Sequence, residues 1–96
     1  MPSIEEIKYK ASEIARQYGA ERLYLFGSYA RGDNNEDSDI DIAVVVDHIP
    51  GDYLNAVSGL WGLTNVVHEN IEPVLLTTAD SRSGFLQTIQ RTGIAL

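Results

Sequence analysis

In "SIEEIKYKASEIARQYG" the apolar positions Ile4, Ile7, Ala11, Ile14, Ala15 and Tyr18 fall on one stripe of a helix. Ser3 and Glu6 form a capping box at its start, and Gly19 supplies the left-handed stop at its end. The pattern then tightens. "RLYLFG" predicts a short buried strand from Arg22 to Phe26, closed by Gly27, and "SYAR" has room for one or two helical turns before a polar loop from Gly32 to Ser38. In "DIDIAVVVD", Asp39, Asp41 and Ala43 alternate with Ile40, Ile42 and Val44, and the chain becomes wholly apolar from Val44 to Val46. Such a run is expected of a central strand whose start reaches a cleft. "PGDY" breaks the chain, and a second long helix runs from Asp52 to about His68, with Leu54, Val57, Trp61, Thr64 and His68 on one face. "IEPVLLT" is the third strand. Pro73 has no N–H for a ladder, so this strand is expected at an edge, or paired on its other side there. "SGFLQTIQRTG" predicts a short last helix buried through Phe85, Leu86 and Ile89 and stopped by Gly93.

Strand, helix and strand from Asp39 to Thr77 make a crossover unit, which pairs its two strands in parallel with a right-handed connection. The shorter link between the first two strands permits an antiparallel pair. The expected architecture is one α/β (α+β) domain over residues 1–96, a small mixed sheet of about three strands with helices packed on one side. There is no repeat, linker or low-complexity segment.

Composition narrows the setting. At 96 residues and 44% hydrophobic content the chain suits a single core. It has no cysteine, which excludes disulfides and thiolate metal sites and makes a reducing cytoplasm the default expectation. "MPSIEEIKYK" does not resemble a signal peptide, and no apolar run is long enough to cross a membrane. Fourteen acidic residues against seven basic give a net charge of −7, which opposes binding to a nucleic-acid backbone. A nucleoside triphosphate is still acceptable where divalent cations stand between its phosphates and the carboxylates.

The stretch "GSYARGDNNEDSDIDIAVVVD" concentrates the chemistry. A P-loop needs Lys and Ser or Thr after its second glycine, and Asp33 and Asn34 stand there instead. An EF-hand loop matches at Asp33, Asn35 and Asp37 but has Ser38 for its glycine and Val44 for its glutamate. The tripeptide Arg31 to Asp33 spells an integrin motif, too short to carry weight. What survives is a strand ending in Gly27-Ser28 and a following strand that begins Asp-x-Asp. Asp39 and Asp41 project from one face with Cβ atoms roughly 6–7 Å apart, close enough to share a metal ion or a metal pair. Ser28 adds a hydroxyl and backbone N–H groups at the start of the short helix. Glu72 opens the third strand, level with Asp39 and Asp41 if the crossover is parallel, and can supply a third carboxylate.

Plainer roles stand beside these. Asp39 and Asp41 would serve a solvated strand start by capping turns, Ser28 would cap a helix, and Glu72 would be an exposed strand residue. Asp33, Glu36 and Asp37 read as a solvated loop, with Ser38 capping the turn into the strand. His48 and His68 stand alone, and Tyr53 and Trp61 read as core or partner contacts.

"GSYARGDNNEDSDIDIAV" resembles the G-S-x-A-R-G…S-D-x-D signature of the minimal nucleotidyltransferases, MntA-like antitoxins of the DNA polymerase beta-like nucleotidyltransferase superfamily. The motif covers Gly27 to Val44, and the order of elements extends the likeness over nearly the whole chain. The resemblance implies the nucleotidyltransferase fold and the transfer of AMP from ATP to a hydroxyl, with release of pyrophosphate. It implies a HEPN-type (HepT-like) toxin partner whose tyrosine is the acceptor. Gly27 and Ser28 would hold the triphosphate; Asp39 and Asp41 would bind one or two Mg²⁺ ions. Glu72 would orient the acceptor-side metal or receive the hydroxyl proton. Arg31 would neutralise phosphate charge or pair with a loop carboxylate. Many members carry Asp where this chain has Glu72. Larger relatives complete the cleft with a second domain, so a homodimer or a separate helical partner is expected to do so here. The alternative from another class is a catalytically inactive antitoxin that neutralises its HEPN partner by binding alone.

Overall fold

The computed structural model describes residues 3–49, 51–78 and 84–96. Helix α1 (Ile4–Tyr18) begins where Ser3 Oγ accepts from the Glu6 N–H at 3.1 Å and ends where Gly19, at φ 74°, donates its N–H to Ala15 O. Strand β1 (Arg22–Phe26), the one-turn helix α2 (Ser28–Arg31) and strand β2 (Ile40–Val46) follow. Helix α3 (Tyr53–Val67) starts on Asp52, whose carboxylate accepts from the Leu54 N–H at 2.8 Å. Strand β3 (Ile71–Thr77), helix α4 (Phe85–Thr92) and strand β4 (Ile94–Ala95) complete the order. No helix among the described residues is long and apolar enough to cross a membrane.

The sheet runs β3-β2-β1-β4, with β1 antiparallel to both β2 and β4 and with β2 and β3 parallel, as the crossover requires. Pro73 lies on the edge strand β3, where its missing N–H is tolerated. The expected three strands are four. Ile94 and Ala95 pair with Leu25 and Tyr24, and the Leu96 N–H donates to Leu23 O at 2.9 Å. Gly93 makes this return possible, because a Cβ there would stand 2.7 Å from Ile89 O and 2.8 Å from Leu25 O. A strand of two residues leaves no periodic trace in a sequence.

The helices lie on both faces of the sheet, which corrects the expected one-sided arrangement. Ile40, Ile42, Val44 and Val46 join Leu23 and Leu25 of β1 against α1 and α3, in a core completed by Ile7, Ile14 and Leu60. On the other face Ala43 and Val45 pack with Tyr24 and Leu76 beneath Leu86 and Ile89 of α4. The wholly apolar run from Val44 to Val46 demands this, since alternate side chains point to opposite faces and both sets need cover.

Two stripes also differ from expectation. On α3 the buried residues are Ala56, Leu60 and Thr64, while Leu54 and Trp61 are 75% and 41% exposed. Small Ala56 and polar Thr64 hide the true inward face, and the outward face is at least as apolar. Phe85, expected to be buried, is exposed at the start of α4, edge-to-face with Phe26 at 5.9 Å between ring centroids. Tyr18 ties the two long helices together by donating its hydroxyl to Ala56 O at 3.1 Å.

Gly93→Ala is expected to destabilise the chain by about 1–3 kcal/mol, because both close atoms are backbone and cannot step aside. Urea unfolding would measure the loss, and amide exchange at Leu96 should accelerate as β4 detaches from β1.

Candidate active site

Antiparallel pairing sets Phe26, the last residue of β1, opposite Asp41 near the start of β2. The next residue, Gly27, turns at φ 75° and ψ −150°, a conformation essentially restricted to glycine. A Cβ at Gly27 would lie 2.2 Å from Asp41 Oδ2, so glycine is needed here for space as well as for backbone geometry. The chain then winds into α2. Arg31 N–H donates to Gly27 O at 3.1 Å, and the N–H groups of Gly32 and Asp33 both donate to Ser28 O, at 2.9 and 3.1 Å. Ser28 is the first helical residue rather than the cap: the N-cap is Gly27, and it makes no side-chain capping bond.

The loop into β2 holds itself through Asn35. Asn35 N–H donates to Ser38 Oγ at 2.8 Å, Asn35 Oδ1 accepts from Asp37 N–H at 2.8 Å, and Asn35 O accepts from Ser38 N–H at 3.1 Å. The outcome is an open cleft of about 460 Å³ lined by Gly27, Ser28, Arg31, Asn35, Asp37, Ser38, Asp39 and Asp41. A larger groove of about 580 Å³ lies at the opposite end of β1, around Arg22, and Glu21 is the one acidic side chain that lines it. Chemistry, rather than size, distinguishes the first.

Parallel pairing places Glu72 of β3 directly beside Asp41. In-register neighbours share a face, so Asp39, Asp41 and Glu72 all project to the α4 side of the sheet. The crowding is visible in their acidity. Burial, then the charge of Asp39, raises the Asp41 pKa above its ordinary value, with Arg31 opposing. Glu72 is raised first by a hydrogen bond shared with the Asp39 carboxyl, which requires a proton on one partner, then by burial and by the charges of Asp39 and Asp41. Arg31 also pairs with the loop carboxylate of Asp33, Nε to Oδ2 at 3.2 Å.

Of the residues singled out in the sequence, Gly27, Ser28, Arg31, Asp39 and Asp41 meet in one cleft, while Glu72 stands at its side and reaches it through Asp39. Asn35 was missed, although Asn and Ser three residues apart in a polar loop signal this turn. Asp37, read as loop, lines the cleft as well.

Two outcomes follow from this crowding. A carboxyl whose folded pKa is raised contributes stability below its unfolded pKa and loses it as pH climbs through the folded value. Ionised Glu72 therefore destabilises the metal-free chain at neutral pH. Glu72→Gln should raise the thermal midpoint at pH 7 by roughly 1–3 °C, a modest gain because water screens the site, and the difference should shrink toward pH 4. Gly27→Ala should cost about 2–3 kcal/mol in denaturant unfolding and displace the Asp41 carboxylate.

The family described as nucleotidyltransferase domain matches residues 7–71, a span that contains the whole cleft. The protein adenylyltransferase MntA of Thermococcus cleftensis is 36% identical over 72 residues, covering 62% of this chain and 73% of that protein. A relative from Methanocaldococcus jannaschii is 44% identical over 78 residues, 80% of this chain and 87% of its own length. The crystal structure of a toxin–antitoxin with AMP-PNP shares the fold, with a TM-score of 0.70 at 24% identity over 92% of this chain and 70% of that one. A match that contains both strands of the cleft, with relatives at these identities, means that the chain belongs to the nucleotidyltransferase domain family and is an MntA-like nucleotidyltransferase.

Proposed function

We propose that the chain transfers AMP from ATP to a protein hydroxyl, a tyrosine of a HEPN-type toxin, and thereby acts as that toxin's antitoxin in the cytoplasm. The observation that carries this reading is that Asp41 in β2 and Asp39 just before it line the same cleft as Gly27, Ser28 and Arg31. The names of similar proteins support the acceptor class: one is a protein adenylyltransferase, and a fold neighbour is a toxin–antitoxin structure containing AMP-PNP.

The donor set suits a hard cation such as Mg²⁺. Asp39, Asp41 and Glu72 offer only carboxylate oxygens, and their mutual repulsion is what a divalent ion would relieve. Among the described residues no three His, Cys, Asp or Glu side chains form a cage by themselves. Mg²⁺ is ordinarily held by one or two carboxylates together with substrate phosphates. Asp39 and Asp41 would be its ligands, with Glu72 third, and the bound ion would neutralise charge on the transferred phosphoryl group.

The remaining work falls to the chain. Backbone N–H groups after Gly27 and the hydroxyl of Ser28 would hold the triphosphate, and Arg31 would offset phosphate charge at the cleft's rim. The acceptor oxygen attacks the α-phosphorus as the bond to pyrophosphate breaks. Glu72 would orient the acceptor-side metal or receive the acceptor's proton.

Incubation with α-labelled ATP, Mg²⁺ and a HEPN-type protein, if the neighbouring gene encodes one, should label that protein. Asp39→Asn is expected to reduce labelling by about 10²-fold or more. A complex that forms without labelling under any divalent metal would overturn the catalytic reading in favour of neutralisation by binding alone.

A further inference from the structure

Phe85 is exposed where a core residue was expected. It is the first residue of α4, it is 41% exposed, and its ring meets that of Phe26 edge-to-face. Among the described residues, every other large apolar side chain left exposed belongs to α1 or α3, and those helices lie on the face of the sheet opposite the carboxylates. Phe85 is thus the one large apolar group open to solvent on the carboxylate side.

The ladders fix where that group stands. Phe26 is the register partner of Asp41 in β1, and Glu72 is its register partner in β3, so the three form one row across the sheet on a single face. Directly opposed residues of antiparallel strands hold their Cβ atoms about 5 Å apart. With its centroid 5.9 Å from that of Phe26, the Phe85 ring stands one side chain away from Asp41. The residue after Phe26 is Gly27, where the chain turns into α2.

A triphosphate laid on that turn leaves few directions for the rest of its molecule. Displacement at the α-phosphorus needs the incoming hydroxyl and the departing pyrophosphate in line, on opposite sides of the phosphorus. With pyrophosphate at Gly27 and Ser28 and the acceptor on the side of Glu72, that line runs across the strands. The sugar must then leave at an angle to it, along β2 or off the sheet, where α4 begins. A nucleobase has two flat faces to cover, and α4 offers it an aromatic ring on a helix that contains no carboxylate.

We propose that Phe85, braced by Phe26, is the stacking platform for the nucleobase of the bound triphosphate. The inference rests on the reading of the cleft as a nucleoside triphosphate site, and it assigns the part of that ligand which the carboxylates and the Gly27 turn leave untouched. Every base has a π face, so the ring distinguishes a nucleotide from bare polyphosphate rather than one base from another.

Calorimetric titration in Mg²⁺ with ATP and, separately, with tripolyphosphate isolates the ring from the rest of the cleft. Phe85→Leu keeps an apolar side chain over Phe26, and it should weaken ATP roughly tenfold while tripolyphosphate changes by less than about twofold. Unchanged tripolyphosphate binding also reports that the variant is folded. Trp61 is the single tryptophan, so in a Trp61→Phe background the emission of Phe85→Trp comes from the platform alone. ATP should quench that emission and tripolyphosphate should not. Equal losses for both ligands, an unchanged ATP affinity in Phe85→Leu, or emission indifferent to ATP would each overturn the platform. So would a Phe85→Leu chain that binds ATP normally yet labels its acceptor protein less, since the ring would then serve the acceptor. Failure of the unaltered chain to bind either ligand would instead overturn the reading of the cleft on which the platform stands.

Discussion

Strand β2 is paired on both sides, and the rest of the molecule is arranged around that fact. Its antiparallel partner β1 ends opposite Asp41, and its parallel partner β3 sets its second residue, Glu72, beside the same aspartate. Asp41 is thus held between Phe26 and Glu72 by backbone ladders that no side-chain rotation can alter. A slip of one residue in either ladder would turn both aspartates into the α1–α3 core, where Ile40 and Ile42 now lie fully enclosed. The hydrophobic demand of one face therefore enforces the chemistry of the other.

That arrangement works against the stability of the empty chain. Three carboxyls share one side of the sheet, and the pKa values of Asp41 and Glu72 are both raised by Asp39 and by burial. Arg31 offsets part of the charge on Asp41 but also pairs with Asp33, so the cleft remains short of positive charge. On the proposed reading, a triphosphate bearing divalent ions would offset that charge, and nucleotide binding would then be coupled to stability.

Much of this was legible in the residues. The capping box at Ser3, the stop at Gly19, the crossover from β2 to β3 and the shared face of Asp39 and Asp41 all follow from local rules, and the ladders agree with them. What escaped was set by contacts rather than by periodicity. Strand β4 exists because Gly93 lets the chain approach Leu25, and α3 turns Ala56 and Thr64 inward although Leu54 and Trp61 are the stronger hydrophobes. Gly27 shows the same limit. A glycine after a strand signals a turn, but only the fold reveals that its missing side chain is the space occupied by the Asp41 carboxylate.

The two faces of the sheet carry different chemistry. On the α4 side, polar groups converge, and the glycine at position 27 serves a carboxylate of the same chain. On the α1–α3 side the core is sealed by Leu60, and beyond it the outer surface of α3 is uncharged, with glycines that serve nothing within the chain. An amphipathic helix on an acidic protein ordinarily carries charge outward, which keeps the molecule soluble at no loss of packing. Its absence over four turns leaves the outer face of α3 free of the repulsion that separates the rest of the surface. Helices cover both faces of the sheet. Of those, α3 alone combines length with freedom from charge: α1 carries Glu5, Glu6, Lys8, Lys10, Glu13 and Arg16.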